Sequence, residues 1–192
     1  MSDELNAARF EITPLSLAGV SVIRRRRADD ARGWFSRLFC ADALAAAGWT
    51  WPVSQINQSS TSKAGTVRGL HYQRPPHTEA KLVICLRGRA WDVALDLRSG
   101  SPSFLRWCAR EISAEEGTAL LIPPGCAHGF QALSDDVELL YLHSVPYVSS
   151  HDAGVNPVDP RVAISWPMPI ALMSRKDATR PFLDIDFPGL QP

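Results

Sequence analysis

The apolar residues of this chain come in short runs, and Gly, Pro, Ser, Asn and Asp divide each run from the next. Leu15–Ile23 is the first run, and Lys81–Leu86 is a continuous one behind a single lysine. Trp91–Leu97 alternates, with Trp91, Val93, Leu95 and Leu97 on one face and Asp92, Ala94 and Asp96 on the other, the period-two signature of a strand. Gly117–Ile122 stops at Pro123-Pro124-Gly125. In Val137–His143, Leu139, Tyr141 and His143 share one face while Glu138, Leu140 and Leu142 share the other. Turn signals lie between the runs at Arg87-Gly88, Ser99-Gly100-Ser101-Pro102 and Ser134-Asp135-Asp136. Many short strands at close spacing predict an all-β fold, a sandwich or a barrel. Ala41–Ala47 is the one clear helical candidate; Ser174–Ala178 is too short to assign, and the Pro-rich, acidic tail from Pro181 reads as irregular.

A chain of 192 residues fits one domain, here residues 1–192 with a core of about 8–183. Lys plus Arg and Asp plus Glu both number 20, so the formal net charge is zero. That balance exerts no long-range pull on nucleic acid or an anionic membrane, and leaves room for a local basic pocket. Arg24–Arg27 reads as a solvated strand end balanced by Asp29 and Asp30, because alternation turns two of the four arginines away from the others. The cysteines Cys40, Cys85, Cys108 and Cys126 form no C-x-x-C pair and read as buried thiols in a reducing compartment. Met1–Phe10 is polar and acidic, unlike a signal peptide. No apolar run approaches the roughly 20 residues that cross a bilayer, so the expectation is a cytoplasmic protein with no membrane or nucleic-acid partner.

The sharpest single motif is Gly117-x5-Pro123-x-Gly125-x2-His128. It resembles the second conserved motif of the cupin superfamily, a double-sheet jelly roll, with Ala132 where an Asn is usual. A strand ends at a Pro-Gly turn, and the next strand aims a histidine into the barrel. The partner motif would supply two histidines as H-x-H and then a glutamate; here Arg68-Gly69-Leu70-His71-Tyr72-Gln73 supplies only one, followed by His77 and Glu79. A transition-metal site wants three or more converging ligands. His71 and His128 alone do not make one, so no metal is expected. The rival reading is a metal-dependent cupin isomerase or oxygenase using His71, His77, Glu79 and His128.

A more specific resemblance follows from several motifs in order. Ser62–Gln73, Lys81-Leu82-Val83, Arg87-Gly88, Trp91–Arg98, Ser101–Phe104, Ile122–Phe130 and Ser174-Arg175-Lys176-Asp177 together resemble the dTDP-4-dehydrorhamnose 3,5-epimerase family over roughly residues 8–183. The resemblance implies a cupin-type jelly-roll β-barrel with a few short peripheral helices, a homodimer whose N-terminal strands extend the partner's sheet, and no cofactor. It implies epimerisation at C3 and C5 of a dTDP-4-keto-6-deoxyhexose. A proton next to a ketone is a weak acid, so its removal needs a nearby base and a charge to hold the enolate. His71 matches the family base, and a histidine titrates near neutrality; Asp177 matches the carboxylate that orients it. Lys81 matches the cation beside the C4 oxygen, where stabilisation grows in the transition state. Tyr141 matches the acid that reprotonates the opposite face. Arg68, Arg32 and His128 are the candidate diphosphate ligands, Gln55 and Asn57 match a nucleotide-contacting segment, and Tyr147 packs on the base or sugar. Asp92 hydrogen-bonds the reacting groups.

The chain departs from the family pattern at three places. Arg37 stands where a Glu is common, Ala153 where an Arg is common, and Asn156–Pro160 replaces a Trp-containing stretch. These changes allow a sister enzyme acting at one centre only, or on a GDP- or CDP-linked sugar. A retained base, cation and acid argue against a non-catalytic sugar-binding cupin. Enolisation followed by ketone migration is a third reading that keeps the same residues.

Overall fold

The turn residues that divide the sequence also divide the structure, a computed structural model that describes residues 9–191. Residues 1–8 and 192 lie outside the described residues, and with them most of the segment read above as unlike a signal peptide. One six-stranded sheet runs in the order β1 (Phe10–Pro14), β2 (Ser21–Arg25), β10 (Thr118–Ile122), β7 (Lys81–Arg87), β12 (Val137–His143), β5 (Gln55–Thr61). The second runs β13 (Asp152–Gly154), β6 (Thr66–Gln73), β11 (Cys126–Ala132), β8 (Arg89–Asp96), β9 (Trp107–Ser113), with β14 (Leu172–Met173) pairing in parallel to the start of β6. β3 (Arg27–Asp30) and β4 (Gly33–Ser36) form a separate hairpin. Two α-helices are short, α1 (Ala41–Ala45) and α2 (Arg175–Ala178), and a 3-10 turn covers Ser149–His151. Among the described residues no helix is long and apolar enough to cross a membrane.

Alternation makes the core. Val83, Cys85, Leu120, Ile122, Val137 and Leu139 from the first sheet meet Ala90, Ala94, Cys108, Ile112, Cys126 and Phe130 from the second. Burying one such aliphatic or aromatic side chain contributes roughly 1.5–3 kcal/mol. The opposite face of the first sheet, with Leu82, Ile84, Ala119 and Leu121, is covered by Leu44 of α1 and Trp49. The opposite face of the second sheet carries Val93, Leu95 and Ala127 under Val155, Val162, Phe187 and Leu190. Both faces of β8 are therefore buried, and it is the aspartate face, with Asp92 and Asp96, that turns toward the barrel interior beside Ala94.

Several expectations change in detail. The run Leu15–Ile23 is not one strand: Leu15–Val20 is a tight turn closed by the Leu15 N–H on the Val20 carbonyl at 2.9 Å, and the strand starts at Ser21. The arginine run is not uniformly solvated. Arg25 is buried, with its guanidinium donating to the Cys85 carbonyl at 3.3 Å, because β2 lies between β1 and β10. Arg26 pairs with Glu11 and Arg27 stacks over Trp34, whereas Asp30 pairs with Arg32, so the balance assigned to Asp29 and Asp30 is not how the charges are met. Ser174–Ala178 does form a helical turn, capped by the Ser174 hydroxyl, which accepts from the Asp177 N–H. Beyond it the tail has no helix or named strand but packs, through Leu190, against the second sheet. All four cysteines are free; Cys85, Cys108 and Cys126 are buried and Cys40 is half-exposed.

Candidate active site

A cleft of about 320 Å³ is lined from both sheets. Its walls come from β5, β6, β11, β12, the starts of β7 and of β13, the first turn of α2 and the loops that carry Glu79 and Tyr147. The sequence pattern explains the arrangement. Lys81 shares the inward parity of Val83 and Cys85, and Tyr141 and His143 share that of Val137 and Leu139. Polar residues at the open end thus stand on the same face as the apolar core below them.

β6 does not keep that parity. Its pairing with β11 runs His71 opposite His128 and then Arg68 opposite Phe130, so three residues of β6 span two of β11. This bulge turns Arg68 and His71, which simple alternation would place on opposite faces, toward the same cleft. It requires Gly69, with φ +117°; a Cβ there would lie 2.5 Å from the Gly129 Cα and 2.8 Å from the His128 carbonyl oxygen.

Three histidine–carboxylate pairs surround the cleft. His71 Nε2 lies 2.6 Å from Asp177 Oδ1, with the histidine side chain 40% exposed and the aspartate buried. Burial pushes the Asp177 carboxyl up, but the hydrogen bond and charge of His71 and the Gly69 N–H outweigh it and hold it below the usual range. His128 Nε2 lies 2.6 Å from Asp92 Oδ1, both deeply buried. Burial raises Asp92 against the opposing pull of His128, and its Oδ2 has no hydrogen-bond partner among the described residues. His143 Nδ1 lies 3.0 Å from Glu79 Oε2, and Lys81 Nζ lies 2.9 Å from Glu79 Oε1. Burial pushes Glu79 up; the Lys81 charge and the hydrogen bonds of His143 and Lys81 prevail and lower it to about 2. Tyr141 comes from the sheet opposite His71, and its hydroxyl is 2.9 Å from Ser59 Oγ. Burial pushes its pKa well above the usual phenol value, so it stays protonated at neutral pH.

The predicted site residues are mostly brought together. His71, Lys81, Tyr141, Arg68, Gln55, Asn57, His128 and Tyr147 line the cleft, and Asp177 stands directly behind His71. Asp92 does not line it; it sits behind the wall and touches His128. Arg32 is not brought to the cleft of its own chain. It lies on the exposed β3–β4 turn, 2.6 Å from Asp30. Arg37 likewise does not line the cleft. Ala153 is buried on β13, and Asn156 donates to the Ala178 and Arg180 carbonyls at 3.2 and 2.9 Å, anchoring the segment that carries Asp177. The metal-ligand set His71, His77, Glu79 and His128 does not converge. His77 meets His151 edge to face, the other three face separate partners, and no group of three metal-ligating side chains occurs among the described residues.

Sequence reasoning missed Ser59, Gln73, Glu79 as a partner of Lys81, His143, Asp152 and Lys176, all on the cleft wall. Period two points to three of them: Ser59 lies two residues after Asn57, Gln73 two after His71, and His143, placed above on the face of Tyr141 but not assigned to the site, two after Tyr141.

Residues 14–184 match the family model described as dTDP-4-dehydrorhamnose 3,5-epimerase. A dTDP-4-dehydrorhamnose 3,5-epimerase of Sinorhizobium fredii is 41% identical over 94% of this chain and 92% of its own. A dTDP-4-dehydro-6-deoxyglucose 3-epimerase of Streptomyces bikiniensis is 37% identical over 88% of this chain and 87% of its own. The solved dTDP-6-deoxy-D-glucose-3,5-epimerase of Legionella pneumophila, in complex with dTDP-4-keto-L-rhamnose, superposes with a TM-score of 0.87 at 32% identity, covering 95% of this chain and 99% of that one.

Proposed function

Because the chain belongs to the dTDP-4-dehydrorhamnose 3,5-epimerase family, we propose that it epimerises a dTDP-linked 4-keto-6-deoxyhexose at C3 and C5 through an enolate. The observation that carries this reading is His71 on one sheet, paired with Asp177 of α2, and Tyr141 on the other sheet, with the Lys81 ammonium in the same cleft. His71 takes the proton from the carbon next to the ketone. The C–H electron pair moves to form the C=C bond, and the carbonyl electrons move to the C4 oxygen, where a Lys81 N–H meets the growing charge. Asp177, kept anionic, stabilises the imidazolium that forms. The Tyr141 hydroxyl then gives its proton to the opposite face of the same carbon, and the enolate collapses to the ketone. Exchange with solvent resets base and acid.

Arg68, His128, Gln55, Asn57 and Tyr147 are assigned to the nucleotide diphosphate, Arg68 by the planar guanidinium that suits phosphate oxygens. Arg32 is assigned to the cleft of a second copy. The hairpin that carries it exposes Trp34 and Phe35 at 59% and 61%, and the cleft is bordered by β5, an edge strand with Ile56 exposed. The active form is then a homodimer in which this hairpin covers the neighbour's open edge. Four free cysteines fit a reducing cytoplasm.

Incubation with dTDP-4-keto-6-deoxyglucose in deuterated water, read by NMR and mass spectrometry, tests the reading. Deuterium at C3 and C5 is the expected outcome. Label at C3 alone makes the chain a 3-epimerase like its Streptomyces bikiniensis relative. No label beside an active control enzyme refutes the assigned substrate.

A further inference from the structure

A lysine ammonium is a compact charge with three donors on a flexible stem, and it holds a direction only if its donors are fixed. In the cleft two are fixed: Lys81 Nζ donates to the His71 carbonyl at 3.2 Å and to Glu79 Oε1 at 2.9 Å. The third N–H remains for the cleft that the side chain lines. The His71 carbonyl belongs to β6 and cannot move far. Glu79 lies on the loop between β6 and β7, so something else must hold it.

Two side chains do. Glu79 Oε2 accepts from Gln73 Nε2 at 3.2 Å and from His143 Nδ1 at 3.0 Å. Gln73 is itself locked, with its Oε1 accepting the Val148 N–H at 2.6 Å. With Nδ1 donating to the carboxylate, His143 Nε2 is the acceptor side of the ring, and it faces the Asn57 amide nitrogen at 3.4 Å. Gln73, Glu79 and Lys81 are all buried.

We propose that Glu79 is the positioning residue for the Lys81 ammonium, and that His143 and Gln73 fix the carboxylate that does so. The cleft then holds one histidine–carboxylate pair that serves the base and a second that serves the cation. This rests on the reading of Lys81 as the group that stabilises the enolate. The titratable and charged groups around Lys81 are Glu79 before it, His71 on β6, Tyr141 and His143 on β12, His128 and Cys126 on β11, and Asp92 on β8. Asp92 is directed at His128 and Asp177 at His71, so Glu79 is the anion in hydrogen-bond contact with the lysine. A buried ammonium that loses its anion is left uncompensated and is no longer aimed.

The test compares Glu79→Gln, Glu79→Asp, His143→Phe and Lys81→Met by circular dichroism, melting temperature and steady-state kinetics across pH. Glu79→Gln keeps the shape and removes the charge. It lowers kcat about 10²-fold, the scale of a misplaced reacting group, with KM changed less than about threefold. The alkaline limb of its kcat profile moves to lower pH, because an anion that favoured protonated groups has left the buried site. Glu79→Asp restores the charge one methylene short; it returns the alkaline limb to the wild-type position and recovers part of kcat. His143→Phe keeps the ring beside Tyr141, whose centroid is 6.3 Å away, and lowers kcat in the same direction by less; it decides the matter should Glu79→Gln not fold. A folded Glu79→Gln with wild-type kcat and an unmoved alkaline limb, beside an inactive Lys81→Met, overturns the proposal and leaves the role of Lys81 standing. Equal losses in Gln and Asp with no movement of the limb reduce Glu79 to a packing residue and also overturn it. An active Lys81→Met removes the underlying reading, and the proposal with it.

Discussion

Burial acts on Tyr141 and Asp177 alike, yet leaves them in opposite states. The Tyr141 phenol, with one hydroxyl partner in Ser59, is driven above its usual range and keeps its proton. Burial pushes Asp177 up too, but contact with His71 and the Gly69 N–H hold it down, so it gives up its proton. One group can therefore donate a proton where the other can only orient and stabilise. Tyr141→Phe keeps the ring and removes the proton. It is expected to cut formation of the inverted product by about 10²-fold or more while His71 continues to exchange substrate protons with solvent, which NMR in deuterated water separates from inversion. A Phe variant that inverts at the wild-type rate would remove Tyr141 from the acid role. The resemblance named both residues; the pull that separates their states was not legible in the sequence, because it comes from neighbours far away in the chain.

β6 and β11 show how an element sets a site. Their bulge places Arg68 and His71 on one face, and it exists because Gly69 and Gly129 let two backbones touch. Gly69→Ala combines a positive φ with a Cβ against backbone atoms that cannot yield. The expected loss is about 3 kcal/mol or more, read as a lower denaturant midpoint at an unchanged slope, with a fall in substrate affinity as Arg68 is turned away. An alanine variant of wild-type stability would show that the strands part without cost. Alternation alone would send Arg68 outward, so the resemblance located it where periodicity could not. α2 makes the same point: five residues from Ser174 were too few for a helical pattern, and the turn stands because Ser174 caps it and Asn156 holds its end.

At the scale of the molecule, the proposed dimer sets the exposed hairpin against the edge of β5 in a second copy. Arg32, Trp34 and Phe35 are exposed in the single chain, and interfaces between stable partners bury about 800 Å² on each side. Replacing both aromatics, Trp34→Asp with Phe35→Asp, is expected to convert a light-scattering mass of a dimer to that of the 21.1 kDa chain. On the proposed assignment of Arg32 to a neighbour's cleft, KM for the nucleotide sugar should also rise about tenfold or more. A wild-type protein that elutes as a monomer would end the assignment of Arg32 to a neighbour's cleft.

The residues assigned to proton transfer were named by the family resemblance; by itself the sequence determined the strand-rich class and the Pro-Gly turn that brings His128 into the barrel. Those are local properties, carried by periods of two and by turn residues whose backbone preferences do not depend on distant partners. The tertiary structure alone decided that the aspartate face of β8 turns inward, that Arg25 is buried while Arg24 and Arg26 are exposed, and that Glu79, rather than joining His71 and His128 around a metal, closes on Lys81 and His143. Each of those outcomes depends on which side of a strand is covered by another layer and on which charge lies within reach. Contacts of that kind join residues far apart in the chain, so they exist only once the sheets have met.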